Sequence, residues 1–235
     1  MIRNKKIIAI IPVRKGSSGI KNKNLIKINN KSLLERTIIL SEKNPLIDKT
    51  IVSTNCKEMW KIAKKYKCNS IHLRPKYLST KFASTIDVLK YEIKKNKLKD
   101  CFILLLQVTS PFRTMSLTNE FLKKFDKSKK FMSAASATFF DHPHPFKVQI
   151  IKNKKLRSLT NKESMVPRQK LKKVLKLNGM FYIAHINELV KNKSFFTKST
   201  MPFTVHEDYS LNLDNETDLV LLRHLKKKMN LNDYK

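Results

Sequence analysis

The stretch Lys6-Ile7-Ile8-Ala9-Ile10-Ile11-Pro12-Val13-Arg14-Lys15-Gly16-Ser17-Ser18-Gly19-Ile20-Lys21-Asn22-Lys23-Asn24 decides the fold. A short apolar run ending in proline reads as a strand buried on both faces rather than as a helix. It empties into a loop of small and basic residues. Gly16 and Gly19 stand in that loop, and Gly179 is the only other glycine of the chain, where about 16 would be usual at this length. In a sequence so sparing of glycine, the survivors mark backbone that needs positive φ or close approach by another group. A buried strand opening into Arg14-x-Gly16-Ser17-x-Gly19, with Lys21 and Lys23 beyond, suits polyphosphate: free N–H groups approach the oxygens and cations neutralise them. The spacing matches neither a Walker loop nor a dinucleotide G-x-G-x-x-G. A basic surface turn is the plainer alternative.

Working outward, Ser32-Leu33-Leu34-Glu35 is a capping box that starts a helix. Thr50 to Ser53 reads as a strand, Lys57 to Tyr66 as a helix with Trp60, Ile62 and Ala63 inward, and Ser70 to Leu73 as another strand. Ser84-Thr85-Ile86-Asp87 opens a further helix, Phe102 to Leu106 is a buried strand, and Leu117 to Phe125 is an amphipathic helix. This alternation predicts a mainly parallel, doubly wound α/β sheet. From Ala134 a β-rich basic segment begins, with strands at Lys147 to Ile151 and Leu177 to Ile183 and a turn at Lys152 to Lys155. It reads as an insertion at about 140–180 in a single domain spanning 1–235. A strand at Tyr209 to Asp214 and a helix from Asn215 to Lys228 close the chain.

The 235 residues carry 50 Lys and Arg against 18 Asp and Glu, a formal charge of +32. That excludes an acidic tail or a disordered polyampholyte, and it raises the question of a nucleic-acid partner. Forty-two of the basic residues are Lys and eight are Arg, whereas planar recognition of phosphate favours Arg. No nucleic-acid module is recognisable, so most of this charge is expected to be solvated surface and nucleic acid is not the expected partner. Cys56, Cys68 and Cys101 are isolated, which indicates neither a disulfide framework nor a zinc site and suggests a reducing cytoplasm. Ile7 to Val13 is far short of the roughly 20 apolar residues of a membrane span, and no cleavable leader is expected. His142 and His144, beside Pro143 and Pro145, read as a rigid loop rather than a metal site.

The run from Ile10 to Leu25 resembles the N-terminal signature of the acylneuraminate cytidylyltransferases, the CMP-sialic acid synthetases. The resemblance continues in order through Arg74-Pro75-x-x-Leu78, Ala83 to Leu89, Leu105-Leu106-Gln107-Val108-Thr109-Ser110-Pro111-Phe112-Arg113, His144-Pro145 and Arg168-Gln169. It ends in Asn178-Gly179-Met180-Phe181-Tyr182-Ile183, Phe195-Phe196, Ser210 to Asp214 and Asp218-Leu219. It implies a Rossmann-like nucleotidyltransferase fold with a small β-rich dimerisation insertion, a homodimer, Mg2+, CTP as donor and a nine-carbon acidic sugar as acceptor. Carried over by position, Arg14, Ser17 and Lys23 contact the triphosphate beside Gly16 and Gly19, and Asn24, Arg74, Ser84 and Thr85 form the cytidine pocket. Gln107 faces the sugar. Lys147 and Arg168, from the partner subunit, neutralise the sugar carboxylate and nearby phosphates, Phe195 and Phe196 wall the acyl group, and Asn212 with Asp214 holds the metal. The blander readings are that Ser84 is only a helix cap and that Phe195 and Phe196 are only core.

Three positions depart from the family pattern. Asn212-Leu213-Asp214 stands where Asp-x-Asp is usual, Lys81 where Asp is usual, and Ser18 where Lys is usual. Alternation along a strand puts positions 212 and 214 on one face, suited to one hard cation, yet Asn212 brings no charge. Asp208 or Asp218 is a candidate to compensate, although Asp218 equally suits a helix N-terminus. The leading expectation is a CTP-dependent cytidylyltransferase for a sialic-type acid; a weakened or re-purposed member and, last, a basic nucleic-acid-binding protein are the alternatives.

Overall fold

A computed structural model describes residues 1–16, 19–70, 72–140, 142–160 and 165–228. The chain runs β1 (Ile7–Pro12), a 3-10 turn at Lys23–Leu25, β2 (Lys27–Ile28), β3 (Lys31–Ser32), α1 (Leu33–Lys43), β4 (Lys49–Ser53), α2 (Lys57–Lys65), α3 (Thr85–Lys95), β5 (Phe102–Leu105) and α4 (Met115–Lys127). It continues through β6 (Ser133–Phe140), β7 (Gln149–Lys152), β8 (Lys155–Ser158), β9 (Val174–His185), α5 (Ile186–Asn192), β10 (Thr200–Thr204) and α6 (Glu216–Lys228).

Six strands form the main sheet in the order β10-β6-β9-β5-β1-β4. β4, β1 and β5 run parallel, as do β6 and β10, and β9 alone runs antiparallel to its neighbours β5 and β6. The apolar runs follow from two-sided burial. In β1, Ile7, Ala9 and Ile11 enter one core and Ile8 and Ile10 the other; in β5, Phe102 and Leu104 separate from Ile103 and Leu105 in the same way. β1 pairs with β4 on one side and β5 on the other, so the connections leaving β1 and arriving at β5 diverge there. Such a switch point opens a crevice beyond the carboxyl ends of the strands.

The helix starts are as the sequence suggests. Ser32 Oγ accepts from Glu35 N–H at 3.2 Å while Ser32 N–H donates to Glu35 Oε2 at 2.9 Å, closing the capping box of α1. Ser84 Oγ accepts from Asp87 N–H and caps α3.

Four expectations are corrected. Residues 70–73 form no strand where they are described (Ile71 lies outside): Ser70 Oγ pairs with both the N–H and the carbonyl of Val52, so a side chain occupies the edge of β4. On α2 the buried residues are Met59 and Ala63, while Trp60 is half-buried and donates from Nε1 to the Ser70 carbonyl. Tyr209 to Asp214 is not a strand; a 3-10 turn at Glu207–Tyr209 leads into irregular chain held by Leu213 N–H on the Thr109 carbonyl. The segment Leu177 to Ile183 belongs to β9 in the main sheet, so among the described residues of the 140–180 stretch it is the β7–β8 hairpin, turning at Asn153 and Lys154 with positive φ, that stands apart.

Candidate active site

A cavity of about 320 Å³ lies in the crevice, lined by Pro12 and Arg14 after β1, Gln107 to Thr109 after β5, Asn24, Arg74, Lys81, Thr85, Asn212 and Asp214, among others. It thus gathers seven of the residues named from the sequence, from segments up to two hundred residues apart in the chain.

Two close approaches to residues of the cavity wall depend on glycine. A Cβ on Gly19 would sit 1.9 Å from the Asp214 carbonyl oxygen, so the chain at Gly19 lies directly on the C-terminal segment. Gly179 has φ +72°, and a Cβ there would meet Gln107 Oε1 at 2.5 Å. A bulge explains this second approach. Between Ala135 and Ala137 the β6–β9 register shifts, and Ser136 Oγ donates to Asn178 Oδ1 at 2.6 Å while accepting from Phe181 N–H at 2.8 Å. Bulges re-aim chain beside sites; here Asn178 turns to donate to Ser210 Oγ at 3.2 Å.

Arg14 donates from Nη1 to the Gly16 carbonyl, and its own carbonyl accepts from Asn24 Nδ2 at 3.2 Å. Arg74 is 6% exposed, with Nε donating to Ser79 Oγ at 3.3 Å and its backbone N–H to the Thr54 carbonyl. Burial lowers its pKa to about 10, Glu92 opposing the shift and Arg14 adding to it. A cation kept at that cost faces the cavity wall, which is the arrangement expected of a ligand contact. Lys81, a departure from the family pattern, also lines the cavity, with its ammonium 4.9 Å from the exposed Phe82 ring.

Asp214 and Asn212 meet although no strand aligns them. Asn212 Nδ2 donates to Asp214 Oδ2 at 2.7 Å, and Lys23 Nζ lies 3.0 Å from Asp214 Oδ1. Asn212 Oδ1 is buried and accepts no hydrogen bond among the described residues. An orphaned carbonyl oxygen beside a carboxylate is a fitting donor pair for Mg2+, which takes one or two protein oxygens and completes its shell from phosphates and water. Asp218 does not add to this pair: its carboxylate accepts from the N–H groups of Asp214 and Asn215 and caps α6 with Asn215.

Other sequence-named residues lie elsewhere. Ser84 Oγ serves as the α3 cap, outside the cavity that its neighbour Thr85 lines. Phe195 is 4% exposed within the second core, whereas Phe196 is 47% exposed and edge-on to Tyr182; neither lines the cavity. Lys147 is exposed in a 3-10 turn at Pro145–Lys147 outside it. Ser17 and the side chain of Arg168 lie outside the described residues. His144 is structural: Nε2 meets the Lys172 carbonyl and Nδ1 accepts from Phe146 N–H.

Arg113 closes the Leu105–Arg113 block and carries no role from the family resemblance. It is fully buried, its guanidinium donating to the carbonyls of Met180 and Gln107, which ties the end of β5 to the β9 bulge. Its signal was the retention of Arg where Lys prevails. Beyond Asn212 a larger cavity of about 830 Å³ continues, lined by Asn178, Lys176, His142, His206, Glu207 and an apolar wall including Phe139 and Leu221.

A mostly parallel sheet with a basic crevice at its switch point is the architecture of an α/β nucleotidyltransferase. The chain belongs to the cytidylyltransferase family, whose model matches residues 8–229. It is 29% identical over 231 residues to an N-acylneuraminate cytidylyltransferase of Escherichia coli O18:K1:H7, covering 96% of this chain and 53% of that protein, so it spans about half that relative's length. It is 28% identical to a CMP-N,N'-diacetyllegionaminic acid synthase of Legionella pneumophila, covering 94% of this chain and 96% of that one. Among solved structures, a CMP:2-keto-3-deoxy-manno-octonic acid synthetase complexed with CTP superposes with a TM-score of 0.69 at 16% identity, over 95% of this chain and 99% of that one, which shows the shared fold.

Proposed function

We propose that this chain joins CTP to a nine-carbon acidic sugar of the sialic type, giving the CMP-sugar and pyrophosphate. The observation that carries the reading is the convergence of Arg14, Asn24, Arg74, Gln107, Asn212 and Asp214 on one cavity at the switch point. The E. coli relative, an N-acylneuraminate cytidylyltransferase, and the Legionella relative, a CMP-N,N'-diacetyllegionaminic acid synthase, support the acceptor class. In this reading the sugar's anomeric oxygen forms a bond to the α-phosphorus as the bond to the leaving pyrophosphate breaks. Arg14, Lys23 and the N–H groups of the 16–19 loop hold the triphosphate, and their cationic field meets the charge that builds on its oxygens. Asn24, Arg74, Thr85 and Ser84 enclose the cytidine. Gln107, held in place by Arg113 and by the bare α-carbon of Gly179, faces the acceptor and fixes its approach, since orientation supplies much of the rate in such transfers. Asn212 Oδ1 and Asp214 hold Mg2+, which when bound supplies charge neutralisation at the phosphates.

The chain acts as a homodimer in this account: Lys147 and Arg168 reach across to the acceptor carboxylate of the other subunit, and Phe196, backed by Phe195 and Tyr182, offers the apolar wall. We infer a cytoplasmic setting from three free buried cysteines; among the described residues no helix is long and apolar enough to cross a membrane. Pyrophosphate release from CTP and Mg2+ across a panel of nonulosonic acids and Kdo tests the reading. Release with one nonulosonic acid is expected, and silence with all of them from a folded, CTP-binding protein refutes the acceptor class. Asn212 favours a second reading, a family member of weakened activity; Asn212→Asp then raises turnover sharply, and an unchanged rate counts against it.

A further inference from the structure

Both oxygens of the Asp214 carboxylate are engaged within the protein, Oδ1 by Lys23 Nζ at 3.0 Å and Oδ2 by Asn212 Nδ2 at 2.7 Å. The backbone on either side is fixed as well. Asp214 N–H donates to Asp218, Leu213 N–H donates to the Thr109 carbonyl, and the Asp214 carbonyl lies against Gly19 with no room for a methyl group. Asp214 is therefore the knot that joins the phosphate loop, the end of β5 and the first turn of α6. Its charge is cancelled by Lys23, and its neighbour in the oxygen pair is a neutral amide.

The rest of the described cavity wall contributes Arg14, Arg74 and Lys81, and Asp214 is its one carboxylate. A divalent cation arriving alone meets a neutralised ligand inside a positive field, and both effects oppose binding. A nucleoside triphosphate reverses both: its oxygens offer the Lys23 ammonium a more highly charged partner, and they supply the remaining ligands that Mg2+ prefers.

We propose that Lys23 is an interlock, holding Asp214 until a triphosphate draws it away, so that the chain takes up a divalent cation only together with the nucleotide. Metal binding is then coupled to nucleotide binding through one lysine that changes partner. Without nucleotide, the site is already paired and loads about tenfold or more weakly than it would unpaired. The inference rests on the nucleotide reading above for its release step, while the interlock itself is testable with metal alone.

The test measures Mn2+ binding to the full chain, by loss of the free-ion electron paramagnetic resonance signal, with no nucleotide present. Lys23→Met frees Asp214 Oδ1 and leaves the carboxylate charge uncancelled, and it is expected to bind Mn2+ about tenfold or more tightly than the parent chain, with Lys23→Gln as the alternative if the Met variant folds poorly. Lys23→Arg, which keeps the pair, stays at the parental level, and adding Asp214→Asn to Lys23→Met abolishes the gain. Parental protein that binds Mn2+ as tightly as Lys23→Met overturns the interlock. Saturating CTP should then give the parental chain an enhanced water-proton relaxation from protein-bound Mn2+. If CTP binds, by calorimetry in EDTA, and this enhancement is missing, the release step is wrong. If CTP does not bind at all, the nucleotide reading fails while the metal-only comparison still decides the interlock.

Discussion

Replacing Gly19 by alanine separates steric contact from backbone strain at the site. Gly19 does not have positive φ, so alanine is conformationally acceptable there, yet its Cβ would lie 1.9 Å from the Asp214 carbonyl oxygen and 3.2 Å from its carbon. The obstacle is backbone, and Asp214 cannot retreat freely because Asp218 and Thr109 hold the segment on both sides. Loop and segment must part by about 1 Å or more, and a misplacement of that size at reacting groups costs on the order of a hundredfold in rate. Stability should fall less, by about 1–3 kcal/mol, as for overpacking elsewhere. Gly16→Ala is the control: with φ +77° and nothing within 4 Å of its Cβ, it carries only the left-handed backbone cost of about 1–2 kcal/mol. Pyrophosphate-release kinetics and urea denaturation of both variants make the comparison. If Gly19→Ala retains parental kcat/KM, the packing of loop against Asp214 does not govern the site and the reasoning is refuted.

Arg74→Lys keeps a charge but loses the fork, and CTP affinity by calorimetry should drop roughly tenfold or more; an unchanged Kd would remove Arg74 from the nucleotide pocket. Glu35 is pushed up by burial, but hydrogen bonds from Ser32 and Tyr66 and the nearby Lys31 outweigh this and leave its pKa lowered. Its contribution is therefore present above the ordinary carboxylate range and is lost as pH falls through the folded value. Glu35→Ala should cost about 1 kcal/mol in urea melts at pH 7 and progressively less in acid, and a pH-independent cost would count against the capping box. Burial raises the Cys68 thiol to about 12 and the Cys101 thiol to about 11, so both should resist alkylation at pH 8 until the chain is unfolded; mass mapping of the labelled cysteines checks this.

The β1–loop unit was legible because two-sided burial writes an unbroken apolar run, and because glycine is so scarce that each one marks a constraint of geometry. The capping box at Ser32 was legible because its four residues suffice to specify it. What could not be read is where side chains substitute for backbone. Ser70 completes the edge of β4 with its hydroxyl, and the alternating pattern of 209–214 imitates a strand while its N–H groups bond to Thr109 and Asp218. Asn212 and Asp214 do come together, but through an amide-to-carboxylate hydrogen bond rather than a pleat. Trp60 fared worst, since its indole N–H needs a polar partner, finds one at Ser70, and leaves the core to Met59.

The antiparallel strand β9 sets the order in which the molecule can be completed. It lies between β5 and β6, yet its residues follow both in the chain. A growing polypeptide must emerge as far as His185 before β5 gains its second neighbour and β6 its first. Until then one edge of β5 and both edges of β6 stand open, which is the state in which chains associate wrongly. For this fold the 174–185 segment acts as the keystone of synthesis, and chains ending before it should be recovered as aggregates rather than as smaller folded units.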